Sequence, residues 1–397
     1  MRDRVSVLLC CLLAACAAPQ GRQAPSASLF RDQSFDAPQE RFDASGLFAV
    51  DDSMRRFLQK DIAREIRLEG PVNGLIQALY REGALKLRYD ASRTRSASEA
   101  FEARAGNCLS LVIMTAAFAK ELGLQLEYNG AEIGEMWGRN GGLLVGSGHV
   151  NVTLGPGRPQ IFTRVYQPSQ TVDFLPESEI SGLRFRRISE RTVVAMYMNN
   201  RSVEALVQQN LDDAYGWARA AIRLDPDFGS SYNTLAIVYL RHGDAEQAAS
   251  VLRYELQREP DDTTLLSNLA DLASRLGNKA EAAALRTRLA QIDPNPPYYF
   301  FDLGMQAMQR NDFQSARTLF GREVARAGYN HEFHFWLGVA YFKLGETERA
   351  RQQLLLALEN SPTPNDQHLY AAKLAWLQAN AGAGRTQPAG PPGAPVR

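Results

Sequence analysis

Leu235-Ala236-Ile237-Val238-Tyr239-Leu240-Arg241-His242-Gly243-Asp244-Ala245-Glu246-Gln247-Ala248 runs from an apolar segment through a glycine turn into a second segment carrying Ala248. The pattern returns every 34 residues. Gly243, Gly277 and Gly345 keep the step, and Asn311 takes the remaining turn; Ala214, Ala248, Ala282, Ala316 and Ala350 keep it too. Pro226, Pro260, Pro294 and Pro362 follow the same count, with Gly328 in the intervening slot. Leu235-Ala236 with Tyr239, Leu269-Ala270 with Ala273, Leu303-Gly304 with Ala307, and Leu337-Gly338 with Tyr341 occupy matching positions of the first segment. Small residues at fixed places let paired helices approach closely, leucines and aromatics fill the interface, and proline ends each second helix. The spacing predicts stacked antiparallel helix pairs, each burying its apolar face on the next.

This period and these small residues resemble the tetratricopeptide repeat. Four regular units run over 229–262, 263–296, 297–330 and 331–364, after a degenerate one at 195–228, so an all-α solenoid is expected over 195–364. A capping helix is expected over 365–380, and the Gly/Pro-rich tail over 381–397 reads as disordered. Solenoids of this family imply a protein partner bound along the concave surface by many modest contacts.

The front half carries a different signal. Cys108 is the only cysteine beyond the first sixteen residues, and His149 is the only histidine before His242. Arg104-Ala105-Gly106-Asn107-Cys108-Leu109-Ser110-Leu111-Val112-Ile113 passes from a polar turn into an apolar stretch that reads as a buried helix ending at Gly123. Cys108 therefore belongs in the first turn of a helix, where unpaired N–H groups and the helix dipole favour a thiolate and offer donors to an oxyanion. Polar and apolar residues alternate in His149-Val150-Asn151-Val152-Thr153-Leu154, as in a half-buried strand. Thr171-Val172-Asp173-Phe174-Leu175-Pro176 reads as a second short strand. If the two strands are antiparallel neighbours, imidazole and carboxylate come within hydrogen-bond reach. Thiol, base and orienting carboxylate are the parts of a nucleophilic triad. Position alone selects Asp173 over Glu177.

The order Cys, His, Asp, with Arg-x-Gly-x-Cys at 104–108 and a capped helix ahead of it (Ser96 to Glu99), resembles the transglutaminase-like superfamily, a papain-like cysteine fold. The resemblance implies an α+β domain over 45–190 with Cys108, His149 and Asp173 as catalytic residues, acting on a peptide or isopeptide amide. Hydrolysis and transamidation share the first half-reaction and stay open. No tryptophan follows His149, and the segment after Cys108 is more apolar than the family pattern. The glycine-rich loop 138–148 reads either as a lid over the cleft or as a solvent-exposed hairpin.

At the amino terminus, Arg2 and Arg4 precede an apolar run from Val5 to Leu13, too short to span a bilayer. Leu13-Ala14-Ala15-Cys16 resembles a bacterial lipobox, which implies a signal peptide over 1–15, lipid on Cys16 and a membrane anchor. Plain secretion cut near Ala18 is the alternative. Ala17 after the lipidated cysteine favours the periplasmic face of an outer membrane. Residues 16–44, rich in Ala, Pro, Ser and Gln, read as a tether. Cys108 is then left without an intramolecular disulfide partner.

With 44 basic and 44 acidic residues the formal net charge is zero, which gives no ground for a nucleic-acid partner. His331 and His334 are three apart, but without a third ligand they read as ordinary repeat positions, so no metal or cofactor is expected. Together the sequence predicts an envelope-anchored cysteine acyl-transfer enzyme whose repeats recruit a protein partner. The rival reading is a non-catalytic tetratricopeptide lipoprotein that serves as a scaffold or adaptor for envelope protein assembly.

Overall fold

The computed structural model describes residues 25–37, 42–81, 85–90, 92–131, 137–140, 142–146, 148–157, 168–175, 183–361 and 364–380. The expected signal peptide, Cys16 and the tail over 381–397 lie outside the described residues, as does Glu177.

The front half is built around one buried helix. Helices α1 (Asp52–Arg56), α2 (Ala63–Tyr80) and α3 (Ala97–Ala103) lead to α4 (Cys108–Glu121). Every residue of α4 from Leu109 to Ala119 is buried. Such a helix has no wet face, so it must be covered on several sides at once. It packs on α3, α2 and the strands β3 (Gln125–Ala131) and β6 (Val150–Gly155). Two two-residue strands, β1 (Arg88–Tyr89) and β2 (Ala105–Gly106), pair in parallel just ahead of α4. Gly106 is needed there, because a Cβ would lie 2.7 Å from Ser110 Cβ.

The main sheet has the order β7-β6-β3-β8, where β7 is Gln170–Val172 and β8 is Phe185–Ile188. Its pairings are antiparallel, with Val152 opposite both Tyr128 and Val172. Val150, Val152, Leu154, Tyr128 and Phe118 share a core with Val193 and Met196 of the following helix. The front half is thus α+β, with an antiparallel sheet packed on a central helix.

Helix α5 (Glu190–Val207) joins the two halves. Its first turns close the front core, while buried Ser202 Oγ donates to the Ala214 carbonyl of α6 (Leu211–Leu224) at 2.7 Å. The pairs α7/α8 (Ser230–His242, Ala245–Arg258), α9/α10 (Thr263–Arg275, Lys279–Ile292), α11/α12 (Tyr299–Gln309, Phe313–Arg326) and α13/α14 (His331–Lys343, Thr347–Glu359) follow. Helix α15 (Pro364–Asn380) packs on α14. The 34-residue step has a visible cause. Ala214, Ala248, Ala316 and Ala350 are fully buried, Ala282 is nearly so, and Gly243, Gly277 and Gly345 turn the chain at positive φ.

Two sequence expectations need correction. Residues 25–37, expected within a tether, are docked on the solenoid. Leu29 is buried among Tyr239, Leu252 and neighbours, Phe35 stacks on Tyr215 at 4.0 Å, and Tyr239 Oη donates to the Leu29 carbonyl at 2.8 Å. Apolar Leu29, Phe30 and Phe35 seat the segment on an aromatic surface, and Arg31 bonded to Gln247 with Asp32 bonded to Tyr215 and Arg219 hold its polar side.

The glycine-rich loop is neither an exposed hairpin nor a lid. Strands β4 (Trp137–Asn140) and β5 (Leu143–Gly146) form their own two-stranded sheet, which lies against the first helices α7 and α9 of the repeat pairs. Leu143 belongs to the α6 to α9 core, and Leu144 to the core around Tyr298, Phe301 and Phe333. The turn residue Gly142 has φ 81°, and a Cβ there would meet Arg275 Nη2 at 2.2 Å. Part of the repeat surface on which a partner was expected therefore carries the chain's own hairpin, at α7, α9 and α11.

Candidate functional site

Asn107 starts α4 by capping it: its Oδ1 accepts from Ser110 N at 2.9 Å and from Ser110 Oγ at 2.8 Å. Its Nδ2 donates to Thr94 Oγ1 at 2.8 Å, so the turn carrying the thiol is fixed from both sides. Arg104, at φ 49°, ends α3 and throws the chain into that turn. The capping box from Ser96 to Glu99 is present as the sequence indicates. Cys108 is the first residue of α4, a free thiol, partly exposed.

His149 sits one residue before β6, its ring nearly buried, and Asp173 one residue after β7. Because β6 and β7 are antiparallel neighbours, these two positions meet at the same end of the sheet. His149 Nε2 lies 2.8 Å from Asp173 Oδ2 and 2.9 Å from Oδ1. Nε2–H is therefore the donor, which leaves Nδ1 as the working nitrogen; it is buried without a hydrogen-bond partner. Phe185 lies edge-on to the imidazole at 5.8 Å.

Asp173 is itself held. It accepts from Asn151 Nδ2 at 3.0 Å and from Leu175 N at 3.0 Å. Asn151 in turn accepts from Asn129 Nδ2 at 2.9 Å, which also reaches Thr153 Oγ1 at 3.0 Å. On the other side Tyr80 Oη donates to the Asp173 carbonyl at 2.8 Å. Asn129, Asn151 and Tyr80 were not named from sequence. Asn151 had a signal: it is two residues beyond His149, and the period of a strand puts both on one face.

Burial works against a charged imidazole, but the hydrogen bond to Asp173 and the nearness of Cys108 outweigh it and raise the His149 pKa to about 9. Burial also opposes ionisation of Asp173, and the bonds from His149, Leu175 and Asn151 overcome it, holding its carboxyl below the usual range. The arrangement can keep an imidazolium beside a thiol at neutral pH.

A pH dependence of stability follows. The folded His149 value lies above its ordinary 6.5, so its contribution is complete below that pH and is lost as pH rises through about 9. A gap of this size between folded and unfolded chain is worth about 3 kcal/mol, counted once because Asp173 shares the same bond. Urea unfolding at about pH 6 and about pH 9.5 is expected to show a fall of this order, and Asp173→Asn is expected to flatten it.

The paired histidines of the repeats have other partners. His331 Nδ1 lies 2.8 Å from Tyr370 Oη; His334 Nδ1 lies 2.7 Å from Gln353 Oε1, and its Nε2 lies 2.8 Å from the Gly328 carbonyl. Among the described residues no three His, Cys, Asp or Glu side chains form a metal-binding group.

Residues 233–297 and 301–363 match a tetratricopeptide repeat family model. Over 250 residues the chain is 25% identical to cellulose synthase operon protein C of Pseudomonas fluorescens (strain SBW25), covering 59% of this chain and 18% of that protein. The chain therefore spans less than a fifth of that relative's length. Among solved structures, a thermophilic tetratricopeptide protein of Thermus thermophilus covers 46% of this chain and 99% of its own, at 17% identity and a TM-score of 0.35. PilF of Pseudomonas aeruginosa covers 49% and 88%, at 18% identity and a TM-score of 0.33. The periodic packing and the family match together make the carboxy-terminal half a tetratricopeptide-repeat solenoid.

Proposed function

We propose that this chain is a protein-recruiting scaffold of the bacterial envelope whose front domain also carries an acyl-transfer centre. The scaffold reading is carried by the repeats, an architecture that presents long surfaces to protein partners. It agrees with the likeness, over part of its length, to a protein named for a cellulose synthase operon.

One observation favours the second, catalytic component: a free thiol opening a buried helix beside an imidazole whose other nitrogen is tied to a carboxylate. A binding domain has no use for all three. In this reading the front domain is transglutaminase-like, and the Cys108 thiolate attacks an amide carbonyl to form a tetrahedral adduct. The N–H groups at the start of α4 receive its oxyanion. His149 then gives its Nδ1 proton to the leaving amine, and the acyl-enzyme passes to water or to a second amine. Asp173 holds the ring so that Nδ1 faces the sulfur.

The two components separate in one experiment. In a deletion strain of the source organism, Cys108→Ala is expected to fold and to leave partner recruitment intact. Complete rescue of the deletion phenotype overturns the catalytic component, whereas loss of rescue with normal protein levels overturns a purely scaffolding role. For location, we propose lipid attachment at Cys16 and residence on the periplasmic face of the outer membrane. Cys16→Ser is expected to move the chain from the membrane fraction to the soluble one; unchanged fractionation overturns the anchor.

A further inference from the structure

The hairpin of β4 and β5 is bound to the repeats as a ligand would be. Leu144 N donates to Asn268 Oδ1 at 2.6 Å, and the Leu144 carbonyl accepts from Asn268 Nδ2 and Asn233 Nδ2, each at 2.8 Å. Asn268 Nδ2 also donates to Asn233 Oδ1 at 2.7 Å, and both asparagines are buried. An amide side chain offers one acceptor and two donors, so Asn268 satisfies both backbone groups of one residue, as a neighbouring strand would. Such a clamp reads an extended backbone, whatever chain supplies it.

Selectivity comes from three side chains. Leu143 is fully buried in the core that contains Leu235, Tyr239 and Leu269, and Leu144 enters the neighbouring one at Tyr298 and Phe301. Arg139 reaches Asp302 through two bonds of 2.7 Å and lies 4.0 Å over the Tyr298 ring. A forked pair with a stacked ring is specific for arginine. Asn233, Asn268 and Asp302 all belong to first helices, so the contacts line one continuous inner face.

We infer that this groove docks a strand-turn-strand segment of a protein partner, which sets an arginine across the turn from a leucine pair or its apolar equivalent as Arg139 stands opposite Leu144, and that the hairpin is the internal stand-in such a segment displaces. The inference deepens the recruiting reading above and rests on it. The hairpin can leave without dismantling the front domain, because its ladder is separate from the four-stranded sheet. Exchange is also cheap: the incoming segment restores the contacts that the hairpin gives up, so the groove is never left bare. A tethered ligand competes at an effective concentration of order millimolar, so a free peptide binds weakly until the hairpin is loosened.

The test uses the full chain and a fluorescein-labelled peptide of residues 138–146, followed by anisotropy. Arg139→Ala and Leu143→Ala in the chain's own hairpin are expected to tighten peptide binding about tenfold or more over the wild type. Equal affinity in wild type and variants overturns the inference, as does the absence of binding at millimolar peptide. Should those variants fail to fold, hydrogen exchange on the wild type answers the same question. Saturating unlabelled peptide is expected to speed exchange at Leu143 to Gly146 and leave β3 and β6 unchanged; no change at the hairpin overturns displacement. The Cys108→Ala complementation does not depend on the hairpin, so the two readings fail separately.

Discussion

Replacing His149 with alanine is expected to slow alkylation of Cys108 by iodoacetamide about tenfold or more near pH 6.5. The thiolate is the attacking species, and an ordinary thiol is only about one per cent ionised at that pH. In this fold the imidazolium persists up to about pH 9, so its charge stands beside the sulfur throughout the neutral range. Removing a positive charge from beside the sulfur withdraws its attraction for the developing thiolate, which sets the direction of the loss. The helix start remains in the variant and keeps part of the reactivity. Cys108→Ala gives the background, since Cys108 is the free cysteine among the described residues. A rate that ignores His149 would mean an inert thiol, and the function would then have to be sought in the repeats alone.

The second large effect concerns the contact between the halves. Asn268→Ala removes the acceptor of Leu144 N–H and one of two donors to its carbonyl, all of them buried. A buried donor left without a partner costs about 1–3 kcal/mol, and the lost bonds bring the total to about 2–4 kcal/mol. Asn233→Ala is expected to cost less, because the carbonyl keeps Asn268. Urea unfolding gives the difference, and hydrogen exchange at Leu144 places it. A change within about 0.5 kcal/mol would show that the hairpin adds nothing to the stability of the folded chain.

The legibility of this chain follows the range of its interactions. The helix pairs could be read because a period of 34 is written into local composition: glycine at turns and alanine where helices touch. The start of α4 could be read because Asn107 caps it from one residue away. The three candidate residues were legible through scarcity, one cysteine beyond residue 16 and one histidine before His242, and through strand periodicity, which aims both His149 and Asn151 at Asp173.

The hairpin and residues 25–37 depart from their composition for one shared reason. Their partners lie far along the chain: Asn268 is 124 residues from Leu144, and Tyr239 is 210 from Leu29. A glycine-rich loop and an Ala/Pro/Ser-rich segment carry the composition of exposed chain, and only a few apolar residues hint otherwise: Leu143 and Leu144 in one, Leu29, Phe30 and Phe35 in the other.

Local pattern was therefore enough to specify the repeats, the buried helix and the three candidate residues, because each rests on contacts within a turn, a strand pair or one repeat step. Tertiary structure settled the rest: strand pairing within the front sheet made the bond between His149 and Asp173 and its support from Asn129 and Asn151, and packing between the halves seated the hairpin on the repeats. Those depend on where distant elements meet, and burial there rewards groups whose composition alone would leave them in water.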